Sequence, residues 1–198
     1  MIFNLFLSFV FAISILPNQN PEKTPEQIFT EAKYVVFIDA CYFEHDRDQD
    51  GKLIHFKNWT KVSGFLYKDY EGIWVLSAGH FVHHGLNHLC GPIVAYFLPE
   101  LQKEPELLQF IGYDPQIDVS LLRFVNQEAV KNIACADLGS STNLKPGRMV
   151  ISLGSPLPIK FAITTGYINS VNLTGFVFNN HQPQLIAHSA MISGGSSG

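Results

Sequence analysis

Val62-Ser63-Gly64-Phe65-Leu66-Tyr67, the polar break Lys68-Asp69-Tyr70-Glu71-Gly72, and Ile73-Trp74-Val75-Leu76-Ser77-Ala78-Gly79-His80 form the stretch on which the fold of this chain turns. Two short runs of β-branched, aromatic and aliphatic residues, 62–67 and 73–77, flank residues that favour turns, which predicts two strands joined by a tight connection. The second run delivers a histidine just beyond its end. Outward from this pair the pattern recurs. Runs at 34–43, 93–98, 107–113 and 119–125 are bounded by Gly, Pro, Asp or Asn, so roughly six strands are predicted by about residue 125. Residues 127–135 and 138–146 read as a connection, and 148–153, 161–171, 176–178 and 184–190 supply further strands. No repeat period or heptad pattern emerges. Many short strands with polar turns between them imply an all-β sandwich or barrel.

Composition narrows the class. The 198 residues, 46% hydrophobic and 15% charged, suit one globular unit or two small barrels packed together. The net charge of -4, with Lys and Arg scattered, gives no basic surface for nucleic acid. Residues 2–16 are almost wholly apolar and end at Pro17-Asn18-Gln19-Asn20-Pro21. A run of about fifteen residues is short for a spanning helix and resembles the hydrophobic part of a secretory signal, although no Lys or Arg precedes it. Residues 1–16 are therefore expected to be a signal peptide, giving a secreted or periplasmic protein. An uncleaved N-terminal membrane anchor is the alternative. The polar, Pro-containing stretch 17–33 reads as a linker.

Several side-chain groupings invite a metal or modification reading. Asp46-Arg47-Asp48-Gln49-Asp50-Gly51 opens like a calcium-binding EF-hand loop, but Lys57 stands where a bidentate Glu is needed and β-rich segments flank it, so a solvated hairpin tip is expected. His80, His83, His84 and His88 with Cys90 form a histidine-rich stretch. Gly85 and Asn87 interrupt any helix there and no partner pair lies at a familiar spacing, so no metal site is assigned. Cys41, Cys90 and Cys135 cannot all pair within the chain, which leaves one bridge open. Asn58-Trp59-Thr60 and Asn172-Leu173-Thr174 match the glycosylation triplet, a weak signal by itself.

Four separated segments carry a family resemblance. Gly64-Phe65-Leu66-Tyr67 followed by Trp74-Val75-Leu76-Ser77-Ala78-Gly79-His80-Phe81-Val82 looks like the first-barrel core of trypsin-like serine proteases, a Gly-containing strand and then a strand ending in Thr/Ser-Ala-x-His. Asp114-Pro115-Gln116-Ile117-Asp118-Val119-Ser120-Leu121-Leu122-Arg123 resembles the Asp-Leu/Ile-Ala-Leu-Leu segment. Leu138-Gly139-Ser140-Ser141, Leu144-Lys145-Pro146-Gly147, Val150-Ile151-Ser152-Leu153-Gly154-Ser155-Pro156 and Ile163-Thr164-Thr165-Gly166-Tyr167-Ile168 resemble the second barrel of the HtrA-like branch, with Ser155 in place of an Asn. Ile186-Ala187-His188-Ser189-Ala190-Met191-Ile192-Ser193-Gly194-Gly195-Ser196-Ser197-Gly198 is similar to that branch's run into Gly-Asn-Ser-Gly, with Ser196 replacing the usual Asn or Asp.

The resemblance spans residues 34–198 and implies a trypsin-like double β-barrel, the first barrel at about 34–130 and the second at about 131–198. Because Gly198 directly follows Ser197, the second barrel is expected to be incomplete at its C-terminus. The implied activity is a serine endopeptidase acting on protein or peptide substrates through an acyl-enzyme, with no cofactor. His80 would be general base and then acid, Asp118 would orient it, and Ser197 would be the nucleophile, with Ser196 its rival. The amides of Gly195 and Ser197 would form the oxyanion hole. Asp114, before Pro115 and outside the apolar run, reads as a turn residue. Met191 takes the pocket position that is acidic in proteases selecting Lys or Arg, which predicts small or medium apolar side chains before the scissile bond. The order His, Asp, Ser disfavours an α/β-hydrolase. Two other readings remain: a trypsin-like fold kept as a non-catalytic peptide-binding or structural module, and, for residues 193–198 alone, a Gly/Ser linker.

Overall fold

A computed structural model describes residues 24–47, 50, 52–82, 89–155, 161–173 and 185–192. Around the stretch 62–80, β2 (Leu53–Asp69) turns tightly into β3 (Gly72–Ala78) because one carboxylate ties the turn together. Asp69 Oδ1 accepts from the Glu71 and Gly72 amides at 2.8 and 3.2 Å and from Trp74 Nε1 at 2.8 Å. The Trp74 hydrogen bond, ahead of the two amides and Arg123, holds that carboxyl below its usual range.

The remaining strands of this unit are β1 (Val35–Arg47), β4 (Ile93–Phe97), β5 (Glu106–Asp114) and β6 (Val119–Phe124). They close antiparallel in the order β1-β2-β3-β6-β5-β4. Period-two alternation explains the closure: Val36, Ile38, Ala40 and Tyr42 of β1, Ile93, Ala95 and Phe97 of β4, and Leu122 and Phe124 of β6 all point inward and pack as one core. Past the barrel, β1 and β2 continue as a ribbon paired out to Arg47↔Leu53; Asp48, Gln49 and Gly51 of the EF-hand-like segment lie outside the described residues. Residues 127–135, read as a connection, begin with a short helix, α2 (Gln127–Val130), capped by Asn126.

The second unit is an open sheet, β7 (Met149–Gly154), β8 (Ala162–Leu173) and β9 (Leu185–His188), in the order β7-β8-β9. The all-β expectation therefore holds, with one closed barrel and a separate three-stranded sheet among the described residues. The strand expected at 176–178 lies outside the described residues. Part of the stretch 17–33 is more than linker. Residues Pro25–Glu31 form a helix, α1, started by a reciprocal cap in which Thr24 and Gln27 each bond the other's backbone. Its Ile28, with Ala32 just beyond, packs on Val35, Ile151 and Leu153, covering one face of β7. The opposite face of the sheet gathers Leu144, Val150, Ile168 and Ala190.

Cys41 and Cys90 form a disulfide with Cα atoms 5.3 Å apart, and Cys135 is a free thiol. Burial pushes the Cys135 thiol up, with Lys68 opposing. The expected signal segment 1–16 lies outside the described residues, and no helix among the described residues is long and apolar enough to cross a membrane.

Candidate active site

His80 sits in a single 3-10 turn, Gly79–Val82, that caps the end of β3. Asp118 closes the turn between β5 and β6, where the Asp114 carboxylate accepts from the Gln116 amide at 2.8 Å and so acts as the turn former expected of it. The two strands are neighbours, with Ala78 opposite Val119, and the ladder extends one step further through Gly79 N–H to the Asp118 carbonyl at 2.8 Å. That step sets the two side chains facing each other. His80 Nδ1 lies 2.7 Å from Asp118 Oδ2.

An ionised carboxylate can only accept, so this contact is one that an Nδ1–H can make, with Nε2 left for another partner. Exposure fits that division: the His80 side chain is 35% exposed and that of Asp118 is 2% exposed. The carboxylate is out of water, while the imidazole opens to the surface. Asp118 also adopts a left-handed backbone, φ 55°, a conformation that Asp and Asn tolerate better than other side chains. Gly79 completes the fit. A Cβ there would lie 3.1 Å from Asp118 Oδ1 and 3.1 Å from Tyr113 Cδ2, so its absence lets carboxylate and ring close on the backbone beside His80.

On the second sheet, the run after β9 is laid against β8. Ser189 N–H donates to the Tyr167 carbonyl at 3.0 Å, Tyr167 N–H donates to Ser189 Oγ at 2.9 Å, and Thr164 Oγ1 donates to the Met191 carbonyl at 2.8 Å. Gly166 is required beneath this run because the backbone of Ser189 and Ala190 crosses where a side chain would project. Met191 itself is 77% exposed. Gly195, Ser196 and Ser197 lie outside the described residues, as do His83, His84 and His88. Of the residues expected to act together, the described structure thus brings His80 to Asp118.

Sequence reasoning passed over several residues at this site. Gly79 occupied the variable position of Thr/Ser-Ala-x-His, Ser77 its Thr/Ser position and Ser120 the Ala position of Asp-Leu/Ile-Ala-Leu-Leu, and none of them was given a role of its own. Ser77 and Ser120 had a signal, a hydroxyl at an inward position of an otherwise apolar strand, and Gly79 had one as a glycine directly beyond the end of such a strand. Ser77 Oγ donates to the Ser63 carbonyl at 2.7 Å and Ser120 Oγ to the Ala78 carbonyl at 2.9 Å, both buried.

Comparison with known proteins names the class. Residues 62–198, more than half of the chain, match the trypsin-like peptidase domain, and the chain belongs to that family. Within it the similarity runs to HtrA-type members. The chain is 34% identical over 62 residues to the serine protease PepD of Mycobacterium tuberculosis, covering 31% of this chain and 13% of that protein. It is 27% identical over 88 residues to the periplasmic serine endoprotease DegP of Salmonella typhimurium, covering 44% of this chain and 18% of that protein. The alignments therefore span less than a fifth of these curated relatives. Among solved structures, the HtrA-type protease AlgW with a decapeptide superimposes with a TM-score of 0.66 at 16% identity, covering 88% of this chain and 54% of the other.

Proposed function

We propose that this chain is the core of an exported serine endopeptidase whose proton relay is His80 and Asp118 and whose nucleophile is Ser197. The contact that carries the reading is the 2.7 Å pairing of a half-exposed imidazole with a buried carboxylate. Family membership and the peptide-bound state of the AlgW neighbours support protein or peptide substrates. In this reading His80 Nε2 takes the Ser197 Oγ proton as that oxygen attacks the scissile carbonyl. The Gly195 and Ser197 amides stabilise the resulting oxyanion. His80 then returns the proton to the leaving amine, and water releases the acyl group by the same steps in reverse roles. Asp118 keeps the imidazole in the Nδ1–H tautomer and stabilises its cation.

Met191 supplies no counter-charge for a basic side chain, which supports a preference for small or medium apolar residues before the scissile bond. The apolar segment 2–16 and the periplasmic DegP relatives support export, with residues 1–16 as signal or anchor. A fluorophosphonate probe tests the nucleophile. The chain should be labelled, Ser197→Ala should abolish labelling, and Ser196→Ala should retain it. Labelling that never occurs, or that survives Ser197→Ala, overturns the assignment in favour of a non-catalytic module or a different serine.

A further inference from the structure

The buried polar or charged side chains among the described residues are Ser63, Ser77, Asp118, Ser120, Ser152 and Ser155. All except Ser152 fall into one connected belt. Ser120, two residues beyond Asp118, donates to the carbonyl of Ala78, two residues before His80, at 2.9 Å. Its cross-strand partner Ser77 donates to the carbonyl of Ser63 on β2 at 2.7 Å. The hydroxyl of the same Ser63 accepts from the amide of Ser155, immediately past β7, at 2.8 Å, and the Ser155 hydroxyl accepts from the Phe161 amide just before β8 at 3.1 Å. A hydroxyl inside an apolar barrel is unfavourable unless its bonds achieve something an aliphatic side chain cannot. Here Ser63 holds the strand that delivers His80 with its carbonyl and the edge of the second sheet with its side chain.

We infer that Ser63 is a positioning residue that sets the distance between the half of the molecule bearing His80 and Asp118 and the half that leads to Ser197. The inference rests on the endopeptidase reading above. Two side chains from different folding units must meet within hydrogen-bond reach for proton transfer, so any slip between the units separates base from nucleophile. Both junctions converge on this one residue. Ser63→Ala leaves the β1 and β3 pairing of β2 in place while depriving the buried Ser155 amide of its acceptor. The His80–Asp118 pair, made entirely within the first barrel, should survive that loss.

The experiment measures fluorophosphonate labelling rate per folded molecule in the full chain, alongside the strongly downfield proton resonance of the His80 Nδ1–H. Ser63→Ala should slow labelling on the order of ten- to a hundred-fold, keep the downfield resonance, and be rescued largely by Ser63→Thr, which restores the hydroxyl. Should Ser63→Ala not fold, Ser63→Cys, which nearly keeps the size but offers the Ser155 amide only a weak sulfur acceptor, is scored the same way. An unchanged labelling rate in the alanine variant overturns the inference. So does a slowing explained by a smaller folded fraction, or one accompanied by loss of the downfield resonance, since each of these marks a merely structural role. A wild-type chain that is never labelled removes the endopeptidase reading, and this inference with it.

Discussion

Asp118 concentrates three demands in one residue: a carboxylate, burial, and a left-handed backbone. Few side chains meet the last two together. Asn does, because it tolerates the same backbone and has the same shape, so Asp118→Asn isolates the charge from the fold. The variant amide presents a donor or a neutral oxygen to Nδ1 and no longer stabilises the imidazolium. Labelling by the serine probe should fall roughly 10³- to 10⁴-fold, while the unfolding free energy from urea titration stays within about 1 kcal/mol of wild type. Retention of more than a tenth of the wild-type rate would remove Asp118 from the relay. The sequence pointed to this residue through its resemblance to the Asp-Leu/Ile-Ala-Leu-Leu segment, and to Asp114 as the turn former because it preceded Pro115 outside the apolar run. Nothing local in the sequence revealed that φ would be positive, since that follows from the turn having to bring Asp118 opposite Gly79.

At the scale of elements, the strands were legible where burial imposed alternation and obscure where it did not. The inner half of β2 is an apolar run; its outer half, Leu53-Ile54-His55-Phe56-Lys57-Asn58-Trp59-Thr60-Lys61, shows no clean period because the ribbon beyond the barrel has no core to face. Pairing with β1 makes it a strand. Helix α1 was hidden by the Pro residues around it, although Thr24-Pro25-Glu26-Gln27 carries the capping-box spacing and a proline at the first helical position. So short a helix is unstable alone and depends on docking. Ile28→Ala should therefore weaken that docking by about 2 kcal/mol and speed amide exchange across Pro25–Glu31, while the barrel amides at Leu66 and Leu122 keep their protection. Equal acceleration in both places would mean that helix and barrel form one cooperative unit.

Across the whole molecule, closure of the barrel and the bridge between Cys41 and Cys90 act on the same segment. The chain leaving His80 returns to β1 at Leu89 and Cys90, where Cys90 N–H also donates to the Cys41 carbonyl at 2.8 Å. The bridge spans a sequence separation of 49 residues, enclosing the end of β1, all of β2 and β3, and the His80 turn. Constraining an unfolded loop of that size is worth about 2–4 kcal/mol. A dithiol reductant, or the paired change Cys41→Ala and Cys90→Ala, should lower the urea midpoint accordingly, whereas Cys135→Ala should not. An unchanged midpoint on reduction would show the bridge to be unimportant for stability.

What the sequence determined by itself was the local part: alternating strands, turn residues, and motifs whose order along the chain matched the trypsin-like pattern. These depend on neighbours a few positions away, and so they survive in one dimension. Which two of the three cysteines join, which glycine makes room for a carboxylate, and how Ser63 meets Ser155 were decided only in the tertiary structure. Each is a contact between residues far apart in the chain, created by barrel closure and by the docking of the second sheet. No periodicity encodes such a distance.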